Sequence, residues 1–348
     1  ISAVEFLLKY AFDQRASDIH IEPKRDKSMI RFRVDGVLHP IHSVPGNLHP
    51  AMVSRLKLLS RLDVAEKRRP QDGRIKTEHM GKDIELRVST LPVAFGEKVV
   101  IRIFDPEILM QKLDRIGFNE REYKLYSSFI RMPHGIILVT GPTGSGKTTT
   151  LYSSLKTISA PEINIITVED PIEMVMEDFN QVGVQPAIDV TFATVLRNIL
   201  RQDPDVLMIG EIRDRETASN AVQAALTGHL VLSTLHTNDA PSSIARLLDI
   251  GIPAFLVSST VSGIIAQRLL RTICQECKFE RLLTEEEMVY LAMEQKEYKV
   301  CEGKGCDECR GTGYKGRTGI FEVLEFTERL KANITEQTDM TKIYEIAR

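Results

Sequence analysis

Gly141-Pro142-Thr143-Gly144-Ser145-Gly146-Lys147-Thr148 fits the pattern G-x-x-x-x-G-K-[ST], whose residue types describe an anion cradle. Glycines at 141, 144 and 146 let the backbone turn its N–H groups inward around phosphate oxygens, and the N-terminal end of a following helix adds partial positive charge. Lys147 then reaches the β- and γ-phosphates of a nucleoside triphosphate such as ATP. The Thr148 hydroxyl holds Mg²⁺, and Thr143, Ser145 and Thr149 line the same turn. The bland alternative is a glycine-rich turn that binds nothing. It leaves unexplained why the apolar run 136–140 leads straight into the motif and a helical pattern, 149–158, follows it.

Acidic side chains at strand ends are the next candidates. The apolar run 163–168 ends in Glu169-Asp170-Pro171-Ile172-Glu173, at the carboxyl edge where open α/β sheets bind ligands. Glu169 is placed to orient or deprotonate an attacking water; the structural alternative is a cap, with Asp170 starting a helix opened by Pro171. Val206-Leu207-Met208-Ile209-Gly210-Glu211 resembles a Walker B strand with Glu211 where an aspartate is usual. A carboxylate there can hold Mg²⁺ through water or polarise the nucleophile.

His229 precedes the apolar run 230–235 and His236 ends it. Either His236 meets a γ-phosphate or these are satisfied structural residues, and spacing leaves both readings open. Arg197 and Arg201 stand i,i+4 on one expected helix, Arg213 follows Glu211 closely, and Arg87 and Arg102 lie on expected strands. An arginine presented from another domain or subunit can stabilise charge in phosphoryl transfer; arginines are otherwise often solvated helix faces.

Cys274-x-x-Cys277 and Cys306-x-x-Cys309 form two knuckles separated by 28 residues, the spacing of a tetrahedral Zn²⁺ site. Two disulfides are the alternative, disfavoured in a reducing compartment. Four thiolates leave a zinc ion no open position, so its role is structural. Cys301 is left over.

These residues need elements to position them. The 348 residues exceed one ordinary core, so at least two domains are expected. With 45 basic and 48 acidic side chains the net charge is −3, which gives no global pull toward nucleic acid or anionic lipid. No apolar run approaches a membrane span, no signal peptide is visible, and the chain reads as part of a longer protein. Residues 1–105 alternate as short half-buried strands, with helical spacing at 1–12 and 50–65: an α+β domain. Residues 106–117 form the expected linker. From 118 to 348, buried runs at 136–140, 163–168, 206–209 and 230–235 alternate with helices, the pattern of a parallel α/β sheet, with the cysteine insert at 272–318.

Taken together the motifs resemble the secretion ATPases of the type II secretion and type IV pilus assembly systems. The resemblance rests on residues 16–23, 31–36 and 69–74 in the first domain. In the second it rests on the P-loop, an Asp box at 167–173, Arg201-Gln202-Asp203-Pro204-Asp205 with the unusual Walker B strand, a His box at 228–238 and the four cysteines. It implies a RecA-like ATPase domain, a smaller PAS-like first domain and a ring of six subunits, each first domain packing on a neighbour. It also implies domains that swing about residues 105–117, a cytoplasmic location beside the inner membrane, and partners in a platform protein and a membrane recruiter. Glu169 and Glu211 fall on the family's acidic catalytic and Walker B positions, and His229 and His236 within its His box. Arg87, Arg102, Arg197, Arg201 and Arg213 fall among its nucleotide- and interface-facing arginines. The cysteines point away from pilus retraction, and the wording of residues 316–321 leans toward type II secretion over pilus extension. A nucleic-acid motor is disfavoured by the missing basic-aromatic strip. A nucleotide-gated adaptor is disfavoured by the presence of Lys147, Glu169 and Glu211 together.

Overall fold

The computed structural model describes residues 3–104, 110–294 and 296–348. It divides into two compact units. One contains residues 1–106 and 271–316, the other residues 107–270 and 317–348. The cysteine insert, expected inside the second domain, therefore packs with the first. Hydrogen bonds bind it there: Arg310 donates to the Gln14 side chain at 3.0 Å, and the Gly316 N–H donates to Asp35 Oδ2 at 2.7 Å. Of the expected linker, residues 106–109 lie outside the described residues, whereas Leu113 and Ile116 are buried in the core of the second unit.

In the first unit, strands β1 (Asp18–Pro23), β2 (Lys27–Val34), β3 (Val37–Pro45), β4 (Gln71–His79), β5 (Lys82–Val93) and β6 (Gly96–Phe104) form one sheet in the order β3-β2-β1-β6-β5-β4. Every neighbouring pair is antiparallel. Alternation does what a period of two requires: Ile19, Ile30, Phe32, Leu86, Val88 and Ile101 enter one core with Val4, Leu7 and Leu8 of helix Ala3–Asp13 and Leu56 of helix His49–Leu59. The second helix stops short of the expected residue 65. Ser60 Oγ turns back to donate to Leu56 O at 2.6 Å, and Arg61 adopts φ +58°. The opposite face is charged. Register aligns Arg33, Asp18, Arg102, Arg87 and Arg74 in one row across five strands.

The second unit is built on β7 (Gly135–Thr140), β8 (Ile165–Glu169), β9 (Asn180–Gly183), β10 (Val206–Ile209), β11 (Leu230–Leu235) and β12 (Val261–Ile273). A pair within the insert, β13 (Lys278–Leu282) and β14 (Lys299–Gly303), precedes β15 (Tyr314–Glu325). The large sheet runs β15-β12-β7-β11-β10-β8-β9, parallel from β12 through β9. Strands β7, β8, β10 and β11 are buried at every residue, which is why they read as unbroken apolar runs. Gly263 of β12 shows how tight this packing is: a Cβ there would lie 2.3 Å from the ring of the fully buried Phe129. Gly263→Ala is expected to cost about 1–3 kcal/mol by overpacking. Thermal melting measures this, and an unchanged midpoint would mean that the ring can yield.

Candidate nucleotide site

Thr140 ends β7 and ties the two central strands together at their carboxyl edge. Its Oγ1 accepts from the Thr237 N–H at 2.9 Å and lies 2.7 Å from Thr237 Oγ1, so the chain after β11 runs beside the glycine loop. Gly141 and Gly146 adopt φ +145° and +88°, and a Cβ on either would collide with Gln267, at 2.4 Å from its carbonyl and 2.7 Å from its Nε2. Gly146 caps helix Lys147–Ile158, whose first N–H groups therefore open onto the loop. Inside the turn Ser145 is 3% exposed, and its Oγ is buried without a hydrogen-bond partner, as suits a cradle that awaits anion oxygens. Thr143 is exposed on the loop, while Thr148 and Thr149 are half-buried in the first helical turn.

Lys147 turns onto the loop itself, donating to Gly141 O at 2.8 Å and Pro142 O at 3.2 Å. Burial lowers its pKa, Arg268 lowers it further, and the nearby Glu211 carboxylate opposes both. Glu211 follows β10, with one oxygen ion-paired to Arg213 and the other 3.4 Å from His236 Nε2. Lys147, Glu211, His236 and Arg213 thus gather at one edge from three different segments. A cation held over phosphate-binding amides, with a carboxylate and an imidazole alongside, suits charge stabilisation at a transferring phosphoryl group.

Other expected residues stand elsewhere. Glu169 is 4% exposed, and its carboxylate accepts from Tyr152 Oη (2.6 Å), Thr167 Oγ1 (2.6 Å) and Gln181 Nε2 (3.1 Å). The helix that Asp170 was expected to cap is absent: residues 170–179 form bends and turns. His229 sits at the opposite end of β11, about 20 Å of strand from the loop. There its Nδ1 lies 2.9 Å from Ala224 O, at the end of helix Arg215–Leu226. Arg197 pairs with Glu216 at 2.5 Å, and Arg201 bonds back to Arg197 O and Asn198; both are exposed. Arg87 and Arg102 belong to the first unit. Arg102 donates to Asp18 Oδ1 at 3.3 Å, and Arg87 lies over the Phe104 ring with Glu85 3.7 Å away.

Three site residues escaped sequence reasoning. Gln267 accepts from Thr150 Oγ1 at 2.7 Å, Arg268 donates to Asn238 O at 2.8 Å, and Tyr152 holds Glu169. The pairing of Ala266 with Thr140 carries Gln267 and Arg268 to the loop. Recognising residues 261–273 as a further parallel strand would have signalled these two.

In the insert the four sulfurs of Cys274, Cys277, Cys306 and Cys309 lie within 4.8 Å of one another, and none is in a disulfide. Three Sγ–Sγ separations are 3.9, 3.8 and 3.7 Å. A Zn–S length of about 2.3 Å gives a tetrahedral edge of about 3.8 Å, so the donor set fits that ion. Backbone N–H groups of Cys306 and Gly313 donate to Cys309 Sγ at 3.1 and 3.2 Å, and such bonds hold its thiol down to about 6 despite desolvation.

Comparison with known proteins agrees with this geometry. All of residues 1–348 match the family described as type II/IV secretion system protein. The type IV pilus assembly ATPase TfpB of Acinetobacter baylyi is 51% identical, across 99% of this chain and 59% of its own length. Type II secretion system protein E of Pseudomonas aeruginosa is 49% identical, across 98% and 69%. The chain thus spans about three fifths to seven tenths of these relatives. Among solved structures, the pilus retraction motor PilT with bound ADP aligns at TM-score 0.63 and 26% identity, covering 99% of this chain and 89% of PilT. The Legionella pneumophila ATPase DotB aligns at TM-score 0.70 and 23% identity, covering 98% and 85%, a likeness of fold. With an α/β ATPase fold, a complete glycine loop and a family match along its whole length, this chain belongs to the type II/IV secretion system protein family.

Proposed function

We propose that this chain binds and hydrolyses ATP as one subunit of a six-membered, RecA-like ring, driving pseudopilus or pilus assembly, with type II secretion favoured over pilus extension. The observation that carries the reading is the convergence of Lys147, Glu211, His236 and Arg213 at the carboxyl edge beside the glycine loop. The loop N–H groups and Lys147 bind and orient the triphosphate. Glu211 positions the attacking water and receives its proton, and His236, held beside Glu211, senses loss of the γ-phosphate. Thr148 and Glu211 would hold Mg²⁺, which supplies neutralisation of phosphate charge. Glu169 supports the site through Tyr152, on the helix that follows the loop.

In this reading the PAS-like first domain packs on a neighbouring subunit and turns its arginine row toward that neighbour's nucleotide, with Arg197 and Arg201 at the interface. Four cysteines hold a structural Zn²⁺. The ring works in the cytoplasm against a membrane platform protein, its domains swinging about the segment that joins them; among the described residues no helix is long and apolar enough to cross a membrane. Subunit mixing tests the shared site. Lys147→Ala and Arg102→Ala proteins are each expected to be inactive. An equal mixture should recover about a quarter of wild-type turnover, because one interface in four joins an intact loop to an intact arginine. No recovery from subunits shown to co-assemble would place Arg102 outside its neighbour's site.

A further inference from the structure

One acid stands inside the arginine row of the first unit, and it is buried. Asp18 is the first residue of β1, the strand between β2 and β6, and register sets it between Arg33 and Arg102. Ile19 and Ile21 of the same strand enter the core, so the Asp18 side chain lies on the charged face, yet the residue is only 8% exposed. The two guanidiniums cover it. Arg102 donates from Nε to Asp18 Oδ1 at 3.3 Å, and Arg33 Nε lies 3.5 Å from Oδ2. Ser17 Oγ adds a bond to Oδ2 at 2.8 Å. Each carboxylate oxygen thus serves one arginine.

Both arginines face the acid with the inner nitrogen of the guanidinium. Arg33 also donates from Nη1 to Gly36 O at 2.9 Å. The Arg102 side chain stays 63% exposed, so its outer edge faces away from Asp18 with its direction fixed. A free arginine carries about 2 kcal/mol of rotamer entropy, and a carboxylate beneath the fork removes part of that cost before an anion arrives. The same charge offsets repulsion among Arg33, Arg102, Arg87 and Arg74, which register brings onto one line. For stability alone a buried acid is a weak device, because desolvation cancels much of what an ion pair gains. Its arrangement suits aiming. We infer that Asp18 is the positioning residue for Arg102, turning the outer edge of that guanidinium toward phosphates bound by a neighbouring subunit. This rests on the reading that the arginine row faces the neighbour's nucleotide.

Asp18→Asn keeps the shape of the side chain and removes its charge. Its kcat is expected to fall about tenfold while KM for ATP stays within about twofold, because a misaimed arginine is missed chiefly in the transition state. Asp18→Glu, which restores the charge on a longer stem, should fall between Asp18→Asn and wild type, and it carries the same tests if Asp18→Asn does not fold. Complementation separates aiming from a general structural defect. Mixed equally with Lys147→Ala, Asp18→Asn should rise from about a tenth to about a quarter of wild-type turnover, since one interface in four then joins an intact loop to an intact Asp18–Arg102 pair. Mixed with Arg102→Ala it should gain nothing, because both lesions lie on the same side of the interface. Wild-type kcat in Asp18→Asn, no rise with Lys147→Ala, or a rise with Arg102→Ala would overturn the proposal. Failure of the reading beneath it looks different: Arg102→Ala itself would then show no recovery with Lys147→Ala.

Discussion

Lys147→Ala is expected to reduce ATP turnover by at least about 10²–10³-fold while leaving the melting temperature within a degree or two of wild type. In this structure the ammonium bonds two carbonyls of its own loop, Gly141 O and Pro142 O, so the folded state loses little when it goes. The transition state loses much more, because the charge it stabilises sits in a partly desolvated cradle where burial already depresses the pKa of Lys147. Glu211→Gln is the informative companion. It keeps the size of the side chain and removes the negative charge that faces Arg213 and His236. It is expected to slow turnover by a similar factor yet retain bound ATP, measured as nucleotide co-purifying or trapped on the protein. Loss of ATP binding in this variant would assign Glu211 to binding rather than to hydrolysis. Wild-type turnover no higher than that of Lys147→Ala, despite demonstrated ATP binding, would leave the gated adaptor as the reading.

The second large effect concerns the insert. Chelating Zn²⁺, or replacing Cys309 with serine, is expected to unfold residues 271–316. Structural zinc contributes about 10–16 kcal/mol to the folding of comparably small modules, and few apolar side chains stand behind these sulfurs. Apart from the ligands Cys274 and Cys309, Met288 is its buried apolar side chain among the described residues. Protease sensitivity should appear around helix Glu285–Tyr290, where Val289 and Tyr290 are already 72% and 89% exposed. Metal analysis should find one zinc per chain before treatment and none after it. The P-loop is built from other segments, so nucleotide binding should survive. A metal-free chain that resists protease as the untreated protein does would show that the cysteines stabilise the insert without an ion.

Much of this organisation is legible in local spacing. The glycine loop, the buried runs 136–140, 206–209 and 230–235, and the paired cysteines each specify their backbone within about ten residues. Turn conformation, alternation and metal-knuckle spacing are short-range properties. Burial on both faces explains why the central strands announced themselves. The parallel strand at residues 261–273 was missed because its pairing with β7 ends at Ala266 and its second half becomes exposed, which breaks the apolar run.

The partners within the site were not legible. Glu169 and Glu211 look alike as acids at strand ends, and His229 and His236 as histidines flanking one strand. Strand order decided between them. β7 lies between β12 and β11, so the residues after β11 and Gln267 within β12 border the loop, while parallel register sends His229 to the far edge. Glu169, two strands further out, meets Tyr152, Thr167 and Gln181 and is held by them. The arginine row likewise exists only through the antiparallel register of five strands, whose paired members Asp18 and Arg102 are 84 residues apart. The sequence by itself determined which segments bind phosphate, which form the buried sheet and which thiols can meet. Only the tertiary structure decided which carboxylate, imidazole and arginines face one another. Those choices depend on long-range register and packing, and neighbouring residues in the chain carry no record of either.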